Sequence, residues 1–556
     1  MLQAHTLVRR AVALAAMAAI APHAPYAHAQ TAPDGGQVLR QLQPLLQAPQ
    51  PGALIDIQPP ARQATTPGGP QVTLAGIQFS GHTVFTSEAL LAATGDVQGR
   101  AFDLAGLRAL ADAVSAHYRN NGYPFARALV PAQTLDDQIL HIEVIEGRYG
   151  QVRALADDAT LAARGQALLT GLQPGAVIQS ATLERATLLL DDLPGVDVSP
   201  LIRPGQAAGT GDLDVTLQRG PRVAGQLGLD NAGNRYTGQH RAKLDLDLNS
   251  PFLLGDQLSL RALATDERMW FGGVDYSAPV GASGLRAQGG YSRSAYTLGK
   301  GFASLRATGT ADVASLGLTY PLVRSQRLNL TLGGAYQHKQ LVDRQRSTDT
   351  RSDKSSNVVP LTLRFDLRDA LGQGGLTYGL FSWSSGNLQL DPAARALDRA
   401  TARTEGRFDK ANLDVARIQA LPGNWTLHAR VAAQWAPKNL DSSEGFGLGG
   451  ADAVRAYPSG EGYGDRGWLG QVELRHAIGS VAPYVFHDAG RIARNARPWE
   501  AGDNSRSLGG AGVGVRAQPG NWSVDAALAW RTHGGDATSD TSQRKPRLWV
   551  TAAYRF

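Results

Sequence analysis

The chain has 556 residues, 43% of them hydrophobic, with 54 basic and 48 acidic side chains and no cysteine. This length exceeds one ordinary domain, and beyond the extreme N-terminus no apolar run reaches the roughly 18 residues of a membrane-spanning helix. The lack of cysteine excludes thiolate zinc sites, iron–sulfur clusters and cysteine nucleophiles. The net charge of +6 is too mild to indicate nucleic acid as a partner.

The N-terminus has the features of a secretory signal. Arg9 and Arg10 form a positively charged start, residues 11–21 form an apolar core, and Ala27-His28-Ala29 is a small-x-small cleavage site. The alternative is a short membrane anchor, but the apolar core is too short to cross a bilayer. We therefore expect residues 1–29 to be a signal peptide and the mature protein to leave the cytoplasm.

Residues 30–71 predict a short helix followed by a linker. Apolar side chains recur there at helical spacings. They are Val38, Leu39, Leu42, Leu45 and Leu46, with Pro44 interrupting the pattern. Residues 49–70 are rich in proline, which favours an extended chain.

Residues 72–147 predict a small α+β unit with the order strand, helix, helix, strand, strand. Residues 72–79 are apolar and strand-like, and Asp103 is suited to cap the helix after it. That helix has one apolar face, which ends at Asn121-Gly122. The face comprises Leu104, Leu107, Leu110, Val114 and Tyr118. A strand with alternating apolar and polar residues follows at residues 140–144.

The pattern recurs in residues 148–221, which predict a second unit of the same kind. Its helix face is marked by Leu183, Ala186 and Leu190. Its last strand alternates apolar with polar residues from Asp212 to Leu217. Two consecutive units with open sheet edges suit a receptor that binds an extended peptide as an added strand. A passive spacer is the alternative.

From residue 222 to residue 556 the helical spacing gives way to strand alternation. About sixteen such segments can be counted, an even number as in bacterial membrane barrels. Several apolar stripes carry aromatic side chains at both ends, as in Trp425 to Trp435 and Trp522 to Trp530. Such ends match the two aromatic girdles of a membrane barrel. The polar stretches 343–357 and 493–506 predict long loops.

The last strand ends with Tyr554 and Phe556 on one face. An aromatic residue that closes an amphipathic C-terminal strand is typical of outer-membrane barrels. We therefore expect Tyr554 and Phe556 to serve as a C-terminal assembly signal and the barrel-assembly machinery to be a partner during biogenesis.

Four segments carry a resemblance to a known family. Residues 230–233 are DNAG, residues 249–260 are NSPFLLGDQLSL, residues 444–457 are EGFGLGGADAVRAY and residues 486–490 are FHDAG. Together they resemble the outer-membrane transporters of two-partner secretion, the hemolysin secretion/activation family. The resemblance covers nearly the whole chain, from residue 38 to residue 556.

The resemblance implies an all-β transmembrane barrel of about 16 antiparallel strands, preceded by two small α+β POTRA domains and an N-terminal plug-like helix. It implies a protein of the cell outer membrane whose POTRA domains, in the periplasm, recognise an unfolded partner exoprotein. The barrel would export this partner without ATP. The partner would be an adhesin, a cytolysin or a contact-dependent inhibition toxin. No cofactor is expected.

The resemblance also implies a site inside the barrel, where a folded-in loop meets a strand. The loop motif is Val454, Arg455, Ala456 and Tyr457, and the strand motif is Phe486, Asp488 and Gly490. Arg455 and Asp488 are expected to form a lumen salt bridge. On a strand Phe486 and Asp488 share a face. Ala456 stands where the family motif has glycine, which matters if that position needs a positive φ.

Other function classes lack their motifs in this sequence. There is no P-loop, no His-Glu-x-x-His and no Gly-x-Ser-x-Gly. The glycine-rich residues 445–450 lack the strand and helix of a nucleotide loop, and His487 and Asp488 point to opposite sides of a strand. The alternatives to an exporter are a barrel-assembly insertase of the wider superfamily, an outer-membrane protease or lipase, and a diffusion porin.

Overall fold

The computed structural model describes residues 32–44, 46–50, 52 and 67–556. The predicted signal peptide, Leu45 and most of the proline-rich linker lie outside the described residues. The N-terminal helix α1 spans Gly35–Gln41, and the side chain of Asp34 caps it by accepting a hydrogen bond of 2.9 Å from the backbone N–H of Gln37. The helix is shorter than residues 38–46 predict, because the chain leaves helical geometry after Leu42, ahead of Pro44.

The first α+β unit packs two helices on one side of a small sheet. Its elements are β1 (Val72–Thr73), β2 (Gly76–Ser80), α2 (Ser87–Thr94), β3 (Ala101–Phe102), α3 (Leu104–Asn120), β4 (Arg127–Leu129) and β5 (Ile139–Ile145). The sheet has the order β2-β5-β4. Val114, Leu140 and Ile142 are fully buried, as the periodicity predicts. Leu104 is 50% exposed at the first turn of α3, so its place on the apolar face was wrong.

The second α+β unit has the same architecture. Its elements are β6 (Arg148–Leu155), α4 (Ala159–Leu168), α5 (Ser180–Asp191), β7 (Val196–Pro204) and β8 (Thr210–Arg219), with the sheet order β6-β8-β7. Leu183, Leu213 and Val215 form the centre of its core. Asp214, which alternation places on the polar face, is buried and pairs with Arg153 at 2.8 Å.

Glu146 ties the two units together. Its carboxylate accepts hydrogen bonds from the backbone N–H of Val84 at 2.8 Å, from the Tyr118 hydroxyl at 3.1 Å and from Arg148 Nη2 at 2.8 Å. The backbone and hydroxyl of Thr83 also donate to it. Burial by itself would raise the pKa of Glu146, but the bonds from Thr83, Val84 and Tyr118 outweigh burial and hold this pKa below its usual range.

Residues 223–555 contain sixteen antiparallel strands that close into one barrel. The strands are β9 (Val223–Asp230), β10 (Arg241–Asn249), β11 (Gln257–Thr265), β12 (Trp270–Pro279), β13 (Arg286–Thr297), β14 (Ala307–Arg324), β15 (Leu328–Gln345), β16 (Thr350–Asp369), β17 (Gly375–Leu390), β18 (Gly406–Leu421), β19 (Trp425–Trp435), β22 (Arg466–His476), β23 (Val481–Ala493), β24 (Ser505–Ala517), β25 (Trp522–His533) and β26 (Arg547–Arg555). The predicted fold class is confirmed.

The barrel carries further short elements in its loops. Helix α6 (Pro392–Ala400) follows β17, and two 3-10 helices span Lys300–Leu305 and Ser442–Glu444. The two-residue strands β20 (Phe446–Gly447) and β21 (Tyr463–Gly464) pair with each other between β19 and β22.

The outer wall of the barrel is apolar and bordered by aromatic side chains. Trp425 and Trp435 at the two ends of β19 are 40% and 48% exposed. On β25, Trp522 at its start and Trp530, three residues before its end, are 51% and 43% exposed. Such borders mark the two interfaces of a bilayer. The predicted long loop at residues 343–357 was wrong. There β15 and β16 stay paired to a turn at residues 346–349, because their polar side chains belong to strands that continue beyond the apolar belt.

The second unit docks against the periplasmic end of the barrel, where the chain enters β9. Arg185 donates to the carbonyl oxygen of Pro321 at 2.9 Å, and Asp192 pairs with Arg324 at 2.7 Å. The hydroxyl of Ser250 donates to the carbonyl oxygen of Pro194 at 2.8 Å. These contacts hold the two small units at the mouth of the barrel.

Candidate functional site

Residues 436–465, here called the folded-in loop, connect β19 to β22 and enter the barrel lumen. Leu448, Val454 and Tyr457 of this loop are fully buried. They pack with Ile492 and Leu508 of the barrel wall in one apolar cluster. The loop is therefore a packed part of the barrel interior rather than a solvated surface segment.

Arg455, at the tip of the folded-in loop, forms a two-pronged ion pair with Asp488. Its Nε lies 2.8 Å from Asp488 Oδ2 and its Nη2 lies 2.7 Å from Oδ1. The backbone N–H of Arg455 also donates to Oδ2 at 3.1 Å. The guanidinium stacks 3.5 Å from the ring centre of Phe486. Phe486 and Asp488 thus both face the lumen, while His487 points outward and is exposed.

Glu473 is a further partner of Arg455 that the sequence reasoning missed. Its Oε1 accepts from Arg455 Nη1 at 2.6 Å, and its Oε2 pairs with Arg475 and Arg516. Glu473 lies directly across from Phe486 in the β22–β23 register. Alternation along β22 could have identified Glu473. Val472 faces the lipid side, so the adjacent Glu473 faces the lumen.

The other motif residues position the loop tip. The Tyr457 hydroxyl donates to the carbonyl oxygens of His533 and Gly535 at 2.8 and 2.9 Å. Gly490 has no room for a side chain, because a Cβ there would lie 2.6 Å from the carbonyl oxygen of Trp468. Trp549, also missed, donates from its indole N–H to the Arg455 carbonyl oxygen at 2.7 Å.

Ala456 needs no positive φ, since it is absent from the residues with left-handed backbone. Its methyl group instead lies against Gly510, where an added Cβ would come within 2.5 Å of it. The departure from the family motif at Ala456 therefore leaves the loop tip unstrained, and the missing side chain at Gly510 makes space for it.

The base of the folded-in loop is anchored by a second group of charges. Glu444 pairs with Lys339 at 2.5 Å and with Lys410 at 2.7 Å, and all three side chains are buried. Lys354 pairs with Asp441 at 2.8 Å. These lysines come from β15, β16 and β18, so the loop is tied to several strands of the wall.

Helix α1 lies inside the barrel and contacts both the wall and the loop. Its first backbone N–H, at Gly35, donates to Asp343 Oδ1 at 3.0 Å. Its cap, Asp34, accepts from the Ser442 hydroxyl at 2.5 Å and pairs with Lys354 at 3.4 Å. At its other end Gln41 donates to the Tyr463 hydroxyl at 3.3 Å. Both ends of α1 are thus hydrogen-bonded to the folded-in loop.

The chain terminus closes the barrel. The backbone N–H of Phe556 donates to the carbonyl oxygen of Gly225 at 3.0 Å. The backbone N–H of Gly225 donates to the carbonyl oxygen of Phe556 at 2.9 Å. The ring of Phe556 occupies the space that a side chain at residue 225 would need, which glycine leaves open. Tyr554 pairs with Leu227 in the β26–β9 seam. The structure therefore places both predicted signal residues at the closing seam.

Within residues 32–44, 46–50, 52 and 67–556 no group of three or more His, Asp or Glu side chains is placed to hold a metal ion. No helix in the same ranges is long and apolar enough to cross a membrane.

Family comparisons agree with this geometry. Residues 209–517, more than half of the chain, match the family described as haemolysin secretion/activation protein ShlB/FhaC/HecB. The chain belongs to this family. Residues 72–147 match the POTRA domain of ShlB type. The protein is accordingly an outer-membrane β-barrel transporter with periplasmic POTRA structure, and the predicted family is confirmed.

Individual members of the haemolysin secretion/activation family are similar over most of their length. The heme/hemopexin transporter protein HuxB of Haemophilus influenzae strain 86-028NP is 26% identical over 444 residues, which cover 78% of each chain. The outer membrane transporter CdiB of Escherichia coli O6:K15:H31 is 25% identical over 461 residues, covering 81% of this chain and 76% of CdiB.

Solved structures of family members share the fold. CdiB from Escherichia coli superposes with a TM-score of 0.72 at 23% identity, covering 91% of this chain and 94% of CdiB. CdiB from Acinetobacter baumannii has a TM-score of 0.63 at 19% identity, covering 94% of this chain and 96% of that CdiB. Members of this family are transporters.

Proposed function

We propose that this transporter binds one unfolded secreted partner in the periplasm and exports it through the barrel once α1 and the folded-in loop have moved. The observation that carries the proposal is the chemistry of the lumen. The folded-in loop packs partly through an apolar cluster, but both obstructing segments are anchored to the wall or to each other by ion pairs and hydrogen bonds, at Asp34, Glu444 and Arg455. Water and a polar chain can replace these polar anchors when the lumen opens.

The limits of the five segments also belong to this proposal. The limits are residues 1–29 for the signal peptide, 30–71 for the plug and linker, 72–147 and 148–221 for two POTRA domains, and 222–556 for the barrel. Among the described residues, the end strands β2, β4 and β7 of the two sheets pair with no further strand on their outer side and offer edges for an extended cargo segment. We expect a binding free energy of about −8 kcal/mol, which corresponds to a micromolar Kd. Binding of this strength is weak enough for the cargo to dissociate into the pore.

Export in this scheme uses no nucleotide and no enzymatic step. The periplasm supplies no ATP, and the sequence contains no P-loop. Folding of the cargo outside the cell, worth several kcal/mol, then opposes its return through the pore. The cargo belongs to the class of large secreted proteins, an adhesin, a cytolysin or a contact-dependent inhibition toxin. By their names, HuxB is a heme/hemopexin transporter protein and CdiB is an outer membrane transporter.

A disulfide between α1 and the barrel wall tests the proposal. The chain has no cysteine, so Gly35→Cys with Asp343→Cys creates a single pair. A Cβ at Gly35 lies 3.1 Å from Asp343 Oδ1, which brings the two sulfur positions within bonding reach. In liposomes without nucleotide, the oxidised variant should not export the unfolded secreted protein encoded beside the transporter, and dithiothreitol should restore export.

The single variants Gly35→Cys and Asp343→Cys are the matched controls, since they carry each change without the link. Both should export under oxidising and reducing conditions alike. Export by the oxidised pair at the rate of the single variants would show that α1 stays in place during transport. A strict requirement for ATP or a proton gradient would overturn the proposal that export uses no nucleotide and is made irreversible by folding of the cargo.

A further inference from the structure

A second site lies on the outer face of the barrel, at its extracellular end. An open cavity of about 540 Å³ is lined there by Arg268, Arg306 and Arg346, together with Thr297 and Thr308. The three arginines come from three successive extracellular connections, after β11, after β13 and after β15. The cavity shares no lining residue with the folded-in loop or with the Arg455–Asp488 pair.

The register of β13 and β14 shows that the cavity faces away from the lumen. Thr297 and Thr308 are directly opposite each other in the ladder. Their neighbours Tyr296 and Ala307 are buried on the inner face, where the Tyr296 hydroxyl bonds to Asp343. Because side chains alternate along a strand, Thr297 and Thr308 point outward.

The cavity also lies at the level of the outer membrane interface. Trp270, the first residue of β12, is 46% exposed and belongs to the aromatic border of the barrel. Arg268 precedes it by two residues at the extracellular end of the β11–β12 hairpin. The cavity therefore begins where the apolar belt ends, at the height of the lipid headgroups.

The charge in the cavity is not balanced by the protein. Within the described residues, the side chains of Arg268, Arg306 and Arg346 form no ion pair and no hydrogen bond, and all three are exposed. Glu267, the carboxylate in the lining, is paired with Lys300. Three convergent guanidinium groups without a counter-charge are suited to a phosphate group, which each of them can bind through two hydrogen bonds.

We propose that this cavity binds the phosphorylated sugar headgroup of a glycolipid in the outer leaflet. A volume of about 540 Å³ exceeds that of a single phosphate and fits a phosphosugar. The arginines bind the phosphate, and the hydroxyls of Thr297 and Thr308 are placed to bond the sugar. The acyl chains then follow the apolar wall below Trp270. Such a lipid would hold three neighbouring loops together beside the pore.

The test measures lipid binding to the purified full-length chain by native mass spectrometry. The probes are lipid A with two phosphates, the same lipid with one phosphate, and the soluble headgroup glucosamine 1-phosphate. The triple variant Arg268→Asn, Arg306→Asn and Arg346→Gln removes the charges. Asparagine is chosen because Arg268 and Arg306 have φ angles of 62° and 47°, which asparagine tolerates.

Wild type should bind two-phosphate lipid A most tightly, and the triple variant should bind it about tenfold more weakly. A control triple variant, with Arg399, Arg407 and Arg494 changed to Gln, loses the same charge from other exposed positions at this end and should keep wild-type affinity. Heat-modifiable migration on gels checks that each barrel is folded. Equal affinity of wild type and the first triple variant, no preference of wild type for phosphate, or equal binding of the soluble headgroup would each overturn the proposal.

Discussion

The first POTRA unit and the barrel lumen differ in the contacts that hold their buried parts together. In the first unit, Val114, Leu140 and Ile142 form a dry apolar core. In the lumen, an apolar cluster is joined by charged groups that are almost as well buried, such as Arg455 and Glu473, and these charged groups anchor the folded-in loop. Burial alone therefore does not distinguish a permanent core from a movable contact.

The difference lies in what replaces each contact when it breaks. An apolar core exposed to water loses its stabilisation without compensation. A charged pair in a lumen that fills with water regains hydration on both partners, so the net cost of opening is much smaller than the bonds suggest. The transporter thus combines rigid recognition units with an interior suited to rearrangement. The following predictions test this contrast, from the largest effect to the smallest.

Removing one partner of the loop-tip pair should have the largest effect. Asp488→Ala leaves the buried Arg455 short of its main partner, which costs about 3–5 kcal/mol of loop docking. Secretion should fall strongly, because a loop without its docking pair no longer holds the defined position from which the lumen opens. Hydrogen exchange in residues 436–465 should rise while the barrel stays folded. The control is His487→Ala, on the opposite face of the same strand, which should secrete normally.

Exchanging the charges, with Arg455→Asp and Asp488→Arg together, should not restore secretion. The new carboxylate at residue 455 would face Glu473, which now accepts from Arg455 at 2.6 Å. Wild-type secretion by both Arg455→Ala and Asp488→Ala would contradict a locking role for the pair.

Truncating the POTRA core should have a comparable but purely local effect. Leu140→Ala removes a fully buried side chain and should lower the free energy of unfolding of this unit by about 2–5 kcal/mol. Hydrogen exchange in β5 should report the loss, with no change in the folded-in loop. Leu129→Ala, at a leucine that is 46% exposed on β4, is the control and should change little. Loosening of the lumen loop by Leu140→Ala would mean that the two regions are coupled.

Glu146→Gln should weaken the junction of the two POTRA units by about 1–3 kcal/mol near pH 7. Because the folded-state pKa of Glu146 is lowered, its carboxylate stabilises the fold above the ordinary glutamate pKa, and this contribution disappears as the pH falls through the lowered value. Thermal melting of variant and wild type should therefore differ at pH 7 and converge in strong acid. A difference that stays constant with pH would argue against the carboxylate as the cause.

The smallest effect is expected at the loop tip, where Ala456→Gly removes one methyl group and relieves no strain. Secretion should stay within about twofold of wild type, a change below about 0.5 kcal/mol. Gly510→Ala should impair secretion, because its Cβ meets that of Ala456 at 2.5 Å. The double variant Ala456→Gly with Gly510→Ala should recover, and failure to recover would show that Gly510 is needed for another reason.

Much of the fold could be predicted from local patterns. Alternation identified Leu213 and Val215 as core positions of the second unit and placed Trp425 and Trp435 at the two ends of one outward stripe. These predictions hold because each position depends on its own strand or helix alone. The loop at residues 343–357 was predicted wrongly, since polar composition does not separate a loop from a strand that extends into water.

The site was predictable only in part. Arg455 and Asp488 came from motifs recognised by resemblance, and the structure brings them together. Glu473, Trp549 and Lys354 carry no motif, and their partners are 18, 94 and 320 residues away in the chain. Alternation could place Glu473 on the inner face of its strand, but the partner of each residue depends on which strand lies opposite which, and no local pattern reports that.

The sequence by itself determined the periods of apolar and polar residues, and with them the two α+β units and the barrel. Those properties follow from side-chain spacing, because one buried face requires one spacing. Only the tertiary structure decided which buried charges share a partner, how α1 is bound to the folded-in loop, and that three unpaired arginines converge beside the membrane. Each of these depends on the closure of the sixteen-stranded barrel, which sets residues from distant strands and loops side by side.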